Sequence, residues 1–128
     1  MIQVKDVVKS FDGNVVLNHV SANFEDGKVN MIIGQSGSGK TVLMKSMIGL
    51  HQIDGGEIIF DTSDGQQNLA GMTEKEVRML HREVGMLFQG AALFDSMTVQ
   101  ENVMYPLEMF SDMTDEEKVE RARFCLER

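Results

Sequence analysis

The chemistry in this sequence is concentrated in the run Gly34-Gln35-Ser36-Gly37-Ser38-Gly39-Lys40-Thr41. It fits the spacing G-x-x-x-x-G-K-[ST], with an apolar run before it and a helical pattern after it. The glycines let the backbone turn its amides inward and come close to a phosphate. Those amides, with the start of the following helix, make a site for anions. An ammonium at Lys40 would reach the β- and γ-phosphates of a nucleotide. A hydroxyl at Thr41 could ligate Mg²⁺. A nucleotide's phosphates with Mg²⁺ are therefore the expected ligands of this segment, and the loop alone does not name the nucleotide or the reaction, since GTPases, small-molecule kinases and ATPases share it.

The flanking elements must hold that loop in place. Residues 2–9 and 15–24 read as strands, broken at Asp12-Gly13 and Asp26-Gly27, which is the opening of an antiparallel sheet. Residues 29–33 (Val-Asn-Met-Ile-Ile) form a short apolar run suited to a buried strand. After the loop, apolar residues at 43, 44, 47, 48 and 50 give a helical stripe, and Gly49 suits its end. Residues 57–60 and 84–88 read as further strands, and 61–71 as a loop or hairpin. Thr73/Glu76, Thr98/Glu101 and Thr114/Glu117 each have the Thr-x-x-Glu form of a capping box. They predict helices over 74–82, 99–109 and 115–127.

Composition sets the bounds. The chain has 128 residues, 42% hydrophobic and 25% charged, which is ordinary for one globular domain. Twelve Lys+Arg against 20 Asp+Glu leave a net charge of −8. That argues against a protein whose work is gripping nucleic-acid phosphates, or docking on anionic lipid by charge alone. The single cysteine, Cys125, cannot form an internal disulfide, which fits a reducing compartment. No apolar run approaches the roughly 18 residues that span a bilayer, and the N-terminus lacks the apolar stretch of a signal peptide. A cytoplasmic location is expected.

Other polar residues read as structural. Asp61 imitates a metal carboxylate at a strand end, but its setting is that of a turn. His19, His51 and His81 are dispersed and read as surface or packing residues. Asp112, Asp115, Glu116, Glu117 and Glu120 alternate with basic residues and read as a solvated helix face. Cys125 reads as a packed apolar residue with no base beside it in sequence. Neither N-K-x-D nor D-x-x-G occurs, so guanine-specific hydrolysis is not indicated. A small-molecule kinase and a non-catalytic nucleotide-binding module stay open as alternatives.

The order of Phe11, the Gly34–Thr41 loop and Val84-Gly85-Met86-Leu87-Phe88-Gln89 resembles the first half of an ABC-transporter ATPase domain. The stretch Gly90–Val103 is similar to the ATPases of Mla-type phospholipid transport systems. The resemblance implies an α/β P-loop fold with an N-terminal antiparallel β subdomain, part of a RecA-like core and the start of a helical subdomain. It covers residues 1–128 as a truncated ATP-binding domain. Phe11 matches the aromatic residue that stacks on adenine. Gln89 matches the glutamine that contacts Mg²⁺ and the attacking water and senses the membrane partner. The segment after Gln89, with Leu93-Phe94 beside Ala91-Ala92, matches the part that meets a transmembrane permease; those two side chains could equally fill the helical subdomain's core. A second ATPase subunit, a place on the inner face of the membrane and phospholipid or related cargo follow by the same implication. The family's signature, second metal carboxylate and switch histidine do not occur in these residues. Nucleotide binding without efficient hydrolysis is therefore expected of the chain alone.

Overall fold

The computed structural model of the chain describes residues 1–62 and 65–128. It divides into two compact units, Met1–Gly85 and Met86–Arg128.

The first unit is built on a four-stranded antiparallel sheet. Strand β1 (Ile2–Phe11) lies between β2 (Asn14–Phe24) and β3 (Gly55–Thr62), and β4 (Gly65–Asn68) pairs with the outer side of β3. Helix α1 (Lys40–Met47), a 3-10 turn (Leu69–Gly71) and helix α2 (Glu74–Glu83) accompany the sheet. The loop or hairpin expected over 61–71 becomes the end of β3, β4 and the 3-10 turn. Its residues 63 and 64 lie outside the described residues. Asp61 sits inside β3, opposite Gln66, with its amide donating to the Met1 carbonyl, so it is a strand residue rather than a turn residue.

Strict alternation would place residues 2, 4, 6 and 8 of β1 on one face. Instead Val4 and Val7 are both buried. The cause is a bulge: the register against β2 slips between Val4 and Val7, and that against β3 between Lys5 and Val8. Asp6 takes a φ of 52° there and receives His19 Nδ1–H on its carboxylate at 2.9 Å. The extra residue flips the parity, so Val4, Val7, Leu17, Ile58 and Phe60 meet Leu43 and Met47 of α1 in one core. Gly56 completes the bulge with a φ of 84°. A Cβ on it would lie 2.4 Å from the Asp6 carbonyl oxygen and 2.5 Å from that of Lys5.

Helix α1 ends as its sequence suggests. Gly49 has a φ of 76°; its amide donates to Ser46 O, and that of Leu50 donates to Lys45 O. This double reversal satisfies carbonyls that the helix leaves open. His81 of α2 donates from Nε2 to the Ile48 carbonyl at 2.6 Å, tying α2 to the same helix end.

Two expected strands do not form. Residues 29–33 and 84–88 form no strand, with Val29 94%, Ile33 86% and Leu87 89% exposed. A strand needs a neighbour's row of amides and carbonyls. The four strands pair only with one another, and among the described residues none pairs with either segment. Only Ile32 and Val84 of the two runs pack against the core.

The second unit contains helices α3 (Val99–Phe110) and α4 (Asp115–Leu126), which pack on each other. Met104 and Ala122 are their buried side chains. Asn102 anchors the preceding loop: its Oδ1 accepts from the Phe94 amide at 2.8 Å, and its Nδ2 donates to the Phe94 and Thr98 carbonyls. Cys125 is exposed rather than packed, as are Phe124 and Leu126, because the last turn of α4 has no cover. No helix among the described residues is long and apolar enough to cross a membrane.

All three predicted capping boxes form. Thr73, Thr98 and Thr114 accept from the amides of Glu76, Glu101 and Glu117, and each glutamate accepts from its threonine's amide at 2.6–2.8 Å. The amides of Thr73 and Thr98 hold the carboxyls of Glu76 and Glu101 below the ordinary glutamate value of 4.5.

Two outcomes follow. Gly56→Ala should destabilise the first unit by about 2–4 kcal/mol, because the Cβ meets backbone at a positive φ. An unfolding free energy from denaturant titration lowered by less than a quarter of that would contradict the packing. Glu76 and Glu101 are more acidic folded than unfolded, so they favour the fold above their ordinary value and lose that contribution as pH falls through the lower, folded one. Helical melting midpoints should therefore drop below about pH 4.5, and Glu76→Gln with Glu101→Gln should flatten the drop.

Candidate functional site

The loop predicted to hold phosphate joins the segment at 29–33 to α1. Its residues 34–38 are exposed, while Gly39 is buried against the sheet. Gly39 is the N-cap of α1, with a φ of 93° and no side chain to cap with. A Cβ on it would lie 3.1 Å from both the Val16 carbonyl oxygen and Val16 Cγ1. Only glycine combines that φ with that approach. The loop bends tightly: the Ser38 amide donates to the Gln35 carbonyl, and a Cβ on Gly34 would lie 2.6 Å from Ser38 Oγ.

The start of α1 differs from the starts of α2, α3 and α4. Those three are closed by threonine and glutamate, with acidic residues in their first turns. Helix α1 has no cap and no acid there, and its one basic residue in the last turn is Lys45. Its first amides keep their donors for a partner outside the helix. The partial positive charge of that helix end favours an anion.

Lys40 curls back over the loop. Its Nζ donates to the carbonyls of Gly34 and Gln35, both at 2.6 Å. This places the ammonium at the mouth of the loop, beside the open amides. Two of its three donors are used there, and a phosphate oxygen is a stronger, charged acceptor than either carbonyl. Thr41 is exposed on the first turn, where its hydroxyl could meet a cation carried by phosphate oxygens. Magnesium takes few protein ligands and many phosphate and water ligands, so one hydroxyl is a fitting contribution.

Phe11 lies at the end of β1, opposite Asn14 in β2. Val16, two residues further along β2, touches the Gly39 position. At ordinary strand spacings this puts Phe11 within roughly 10 Å of the start of α1. The ring is 39% exposed. Lys9 Nζ sits 4.9 Å from its centroid, and His51 meets it nearly at right angles with centroids 5.3 Å apart. His51 and His81 thus have specific packing partners that their spacing did not reveal.

Gln89 is exposed, in the second unit, just past the run that was expected to be a strand. The structure groups Gly34–Thr41 with Phe11 in the first unit; Gln89 belongs to the other. Leu93 is 67% and Phe94 47% exposed, and the Phe94 ring meets that of Tyr105 at a tilt of 52°, with centroids 4.9 Å apart. They do not fill a core. The acidic residues near α4 serve its cap and surface: Glu117 closes the capping box, and Asp115 faces Lys118 at 3.8 Å. A cleft of about 680 Å³ lies by the other end of α1, lined by Ser46, His51, Leu69 and Arg78 among others, and none of the loop residues 34–41 lines it.

Several known proteins are similar to this chain. The family model described as ABC transporter matches residues 17–128. The methionine import ATP-binding protein MetN of Rhizobium johnstonii is 34% identical over 127 residues, covering 99% of this chain and 34% of that protein. The phosphonates import ATP-binding protein PhnC of Fusobacterium nucleatum is 32% identical, covering 100% of this chain and 53% of that protein. The dimeric structure of MJ0796, a bacterial ABC transporter cassette, superposes with a TM-score of 0.84 at 30% identity, covering 99% of this chain and 56% of that one. A post-hydrolysis structure of the same cassette bound to ADP and Pi gives 0.85 at 28% identity. The chain thus spans about a third to a half of the curated relatives' length.

The geometry predicts binding of ADP and ATP that calorimetry can follow. Lys40→Met should weaken it by about 10- to 100-fold, the worth of a charge-assisted hydrogen bond. Equal affinities of wild type and variant would remove the loop from consideration.

Proposed function

The chain belongs to the ABC transporter family, and from that membership and the geometry of its loop we propose that it is the nucleotide-binding part of a transport ATPase. The observation that carries this reading is the uncapped start of α1 with the Lys40 ammonium folded over it. The amides of residues 37–41 and Lys40 receive the β- and γ-phosphates. Thr41 contributes a hydroxyl to Mg²⁺, which when bound neutralises charge on the phosphates. Phe11 offers its ring to the adenine by stacking. Gln89 couples the nucleotide to the transport subunits. The 128 residues are the N-terminal part of one ATP-binding domain.

Phosphoryl transfer depends on several groups that position water and spread charge, and these act as a unit. The present residues supply the phosphate cradle but not the carboxylate or histidine that would activate water. Binding without efficient turnover is the consequence for this chain alone.

The segment after Gln89 is the proposed contact with a permease. The exposure of Leu93 and Phe94, on a loop that Asn102 pins to α3, supports this. A rigid apolar knob is a better contact than a mobile one, because less motion is lost on docking. On this reading the protein works at the inner face of a membrane, paired with a second ATPase subunit. The relatives named above are importers, and one solved cassette is a dimer. The finer reading, a phospholipid or related hydrophobic cargo, rests on Gly90–Val103.

Purified chain with Mg²⁺ and ATP tests the proposal. Saturable ATP binding with no phosphate release above a Lys40→Met control is expected. Turnover at ordinary ATPase rates, abolished by Lys40→Met, would overturn the predicted inactivity. Transfer of phosphate to a sugar or nucleoside would overturn the transport reading.

A further inference from the structure

An exposed phenylalanine is a poor platform for a base unless something fixes its plane. A free ring samples several orientations, and a stacking ligand must freeze them. Phe11 is not free. Lys9 stands two residues before it on the same strand, so both side chains leave the same face. The Lys9 Nζ lies 4.9 Å from the ring centroid, within range of an attractive cation–π contact.

Lys9 is itself held. Its side chain is only 14% exposed, and Nζ lies 3.6 Å from Asp54 Oδ1. Asp54 is fixed in turn: its Oδ2 accepts from the Ser10 amide at 2.6 Å and the Ser10 hydroxyl at 3.0 Å. Its own amide donates to the Val8 carbonyl at 2.8 Å. Backbone therefore anchors the carboxylate, the carboxylate anchors the ammonium, and the ammonium holds the ring. His51 closes another side, nearly perpendicular to the ring. The remaining exposed part of Phe11 is what a planar ligand can reach.

We propose that Lys9, steered by Asp54, is a positioning residue for the nucleobase: it sets the plane of Phe11 and so contributes to the preference for a nucleotide over bare polyphosphate. The proposal rests on the reading of Phe11 as the base platform. Lys9 touches neither base nor phosphate in this scheme, so it acts on the difference between the two ligands.

The test compares calorimetric affinities for ATP and inorganic tripolyphosphate in the 128-residue chain. Lys9→Met keeps the apolar stem and removes the charge. It should lower the ATP-to-tripolyphosphate preference by roughly two- to fivefold, the size of one exposed cation–π contact, and leave tripolyphosphate affinity unchanged. Lys9→Arg should restore the preference. Asp54→Asn, which removes the charge that holds the Lys9 ammonium, should lower it in the same direction and carries the test if Lys9→Met does not fold. Wild-type preference in Lys9→Met and Asp54→Asn, with a reduced preference in Phe11→Ala, overturns the proposal and leaves the platform standing. Wild-type preference in Phe11→Ala overturns both.

Discussion

One helix, left open at its start, carries the proposed nucleotide site. Helix α1 begins at a buried glycine with no capping side chain, whereas α2, α3 and α4 are each sealed by a threonine and a glutamate. Capping typically contributes about 1 kcal/mol per helix, so an open end forgoes stability that its neighbours have. What the open end provides is a set of amides aimed outward, a favourable field for an anion and a lysine at the same mouth. A glutamate in the first turn would have filled that field internally. The absence of acid in that turn and the presence of Lys40 point to the same ligand charge.

The rest of the first unit keeps that helix start in place. Gly39 is pressed against Val16 of β2, and Leu43 and Met47 reach the core one and two turns later. The core closes only because the bulge at Asp6 lets Val4 and Val7 face inward together. The bulge in turn needs Gly56, whose missing side chain makes room for two carbonyls. A constraint on the sheet thus reaches the phosphate loop through contiguous packing. The same sheet carries Lys9 and Phe11 at the end of β1, with Asp54 just before β3 beside them.

Local signals in the sequence were legible, and signals that depend on partners were not. The capping boxes involve residues three apart, so Thr73, Thr98 and Thr114 mark their helices to within a residue or two. The phosphate loop is local too, and its fold follows its glycines. The bulge is invisible in Ile-Gln-Val-Lys-Asp-Val-Val-Lys, because only the pairing with two neighbours decides the register. Residues 29–33 and 84–88 have strand composition, but a strand exists only with a neighbour, and none is found among the described residues. Cys125 reads as buried from its type alone; its exposure reflects the uncovered last turn of α4. The cation over Phe11 depends on Asp54, more than forty residues away in sequence, which no periodicity would reveal.

Backbone amide resonances of ¹⁵N-labelled protein titrated with ATP test whether the open start of α1 receives the phosphates. The largest shifts are expected on residues 37–42, with smaller ones around Phe11, while the capped starts of α2, α3 and α4 stay put. Saturable shifts clustered at the Ser46–Arg78 cleft, or at any capped helix start, with the amides of 37–42 unmoved, would contradict that expectation.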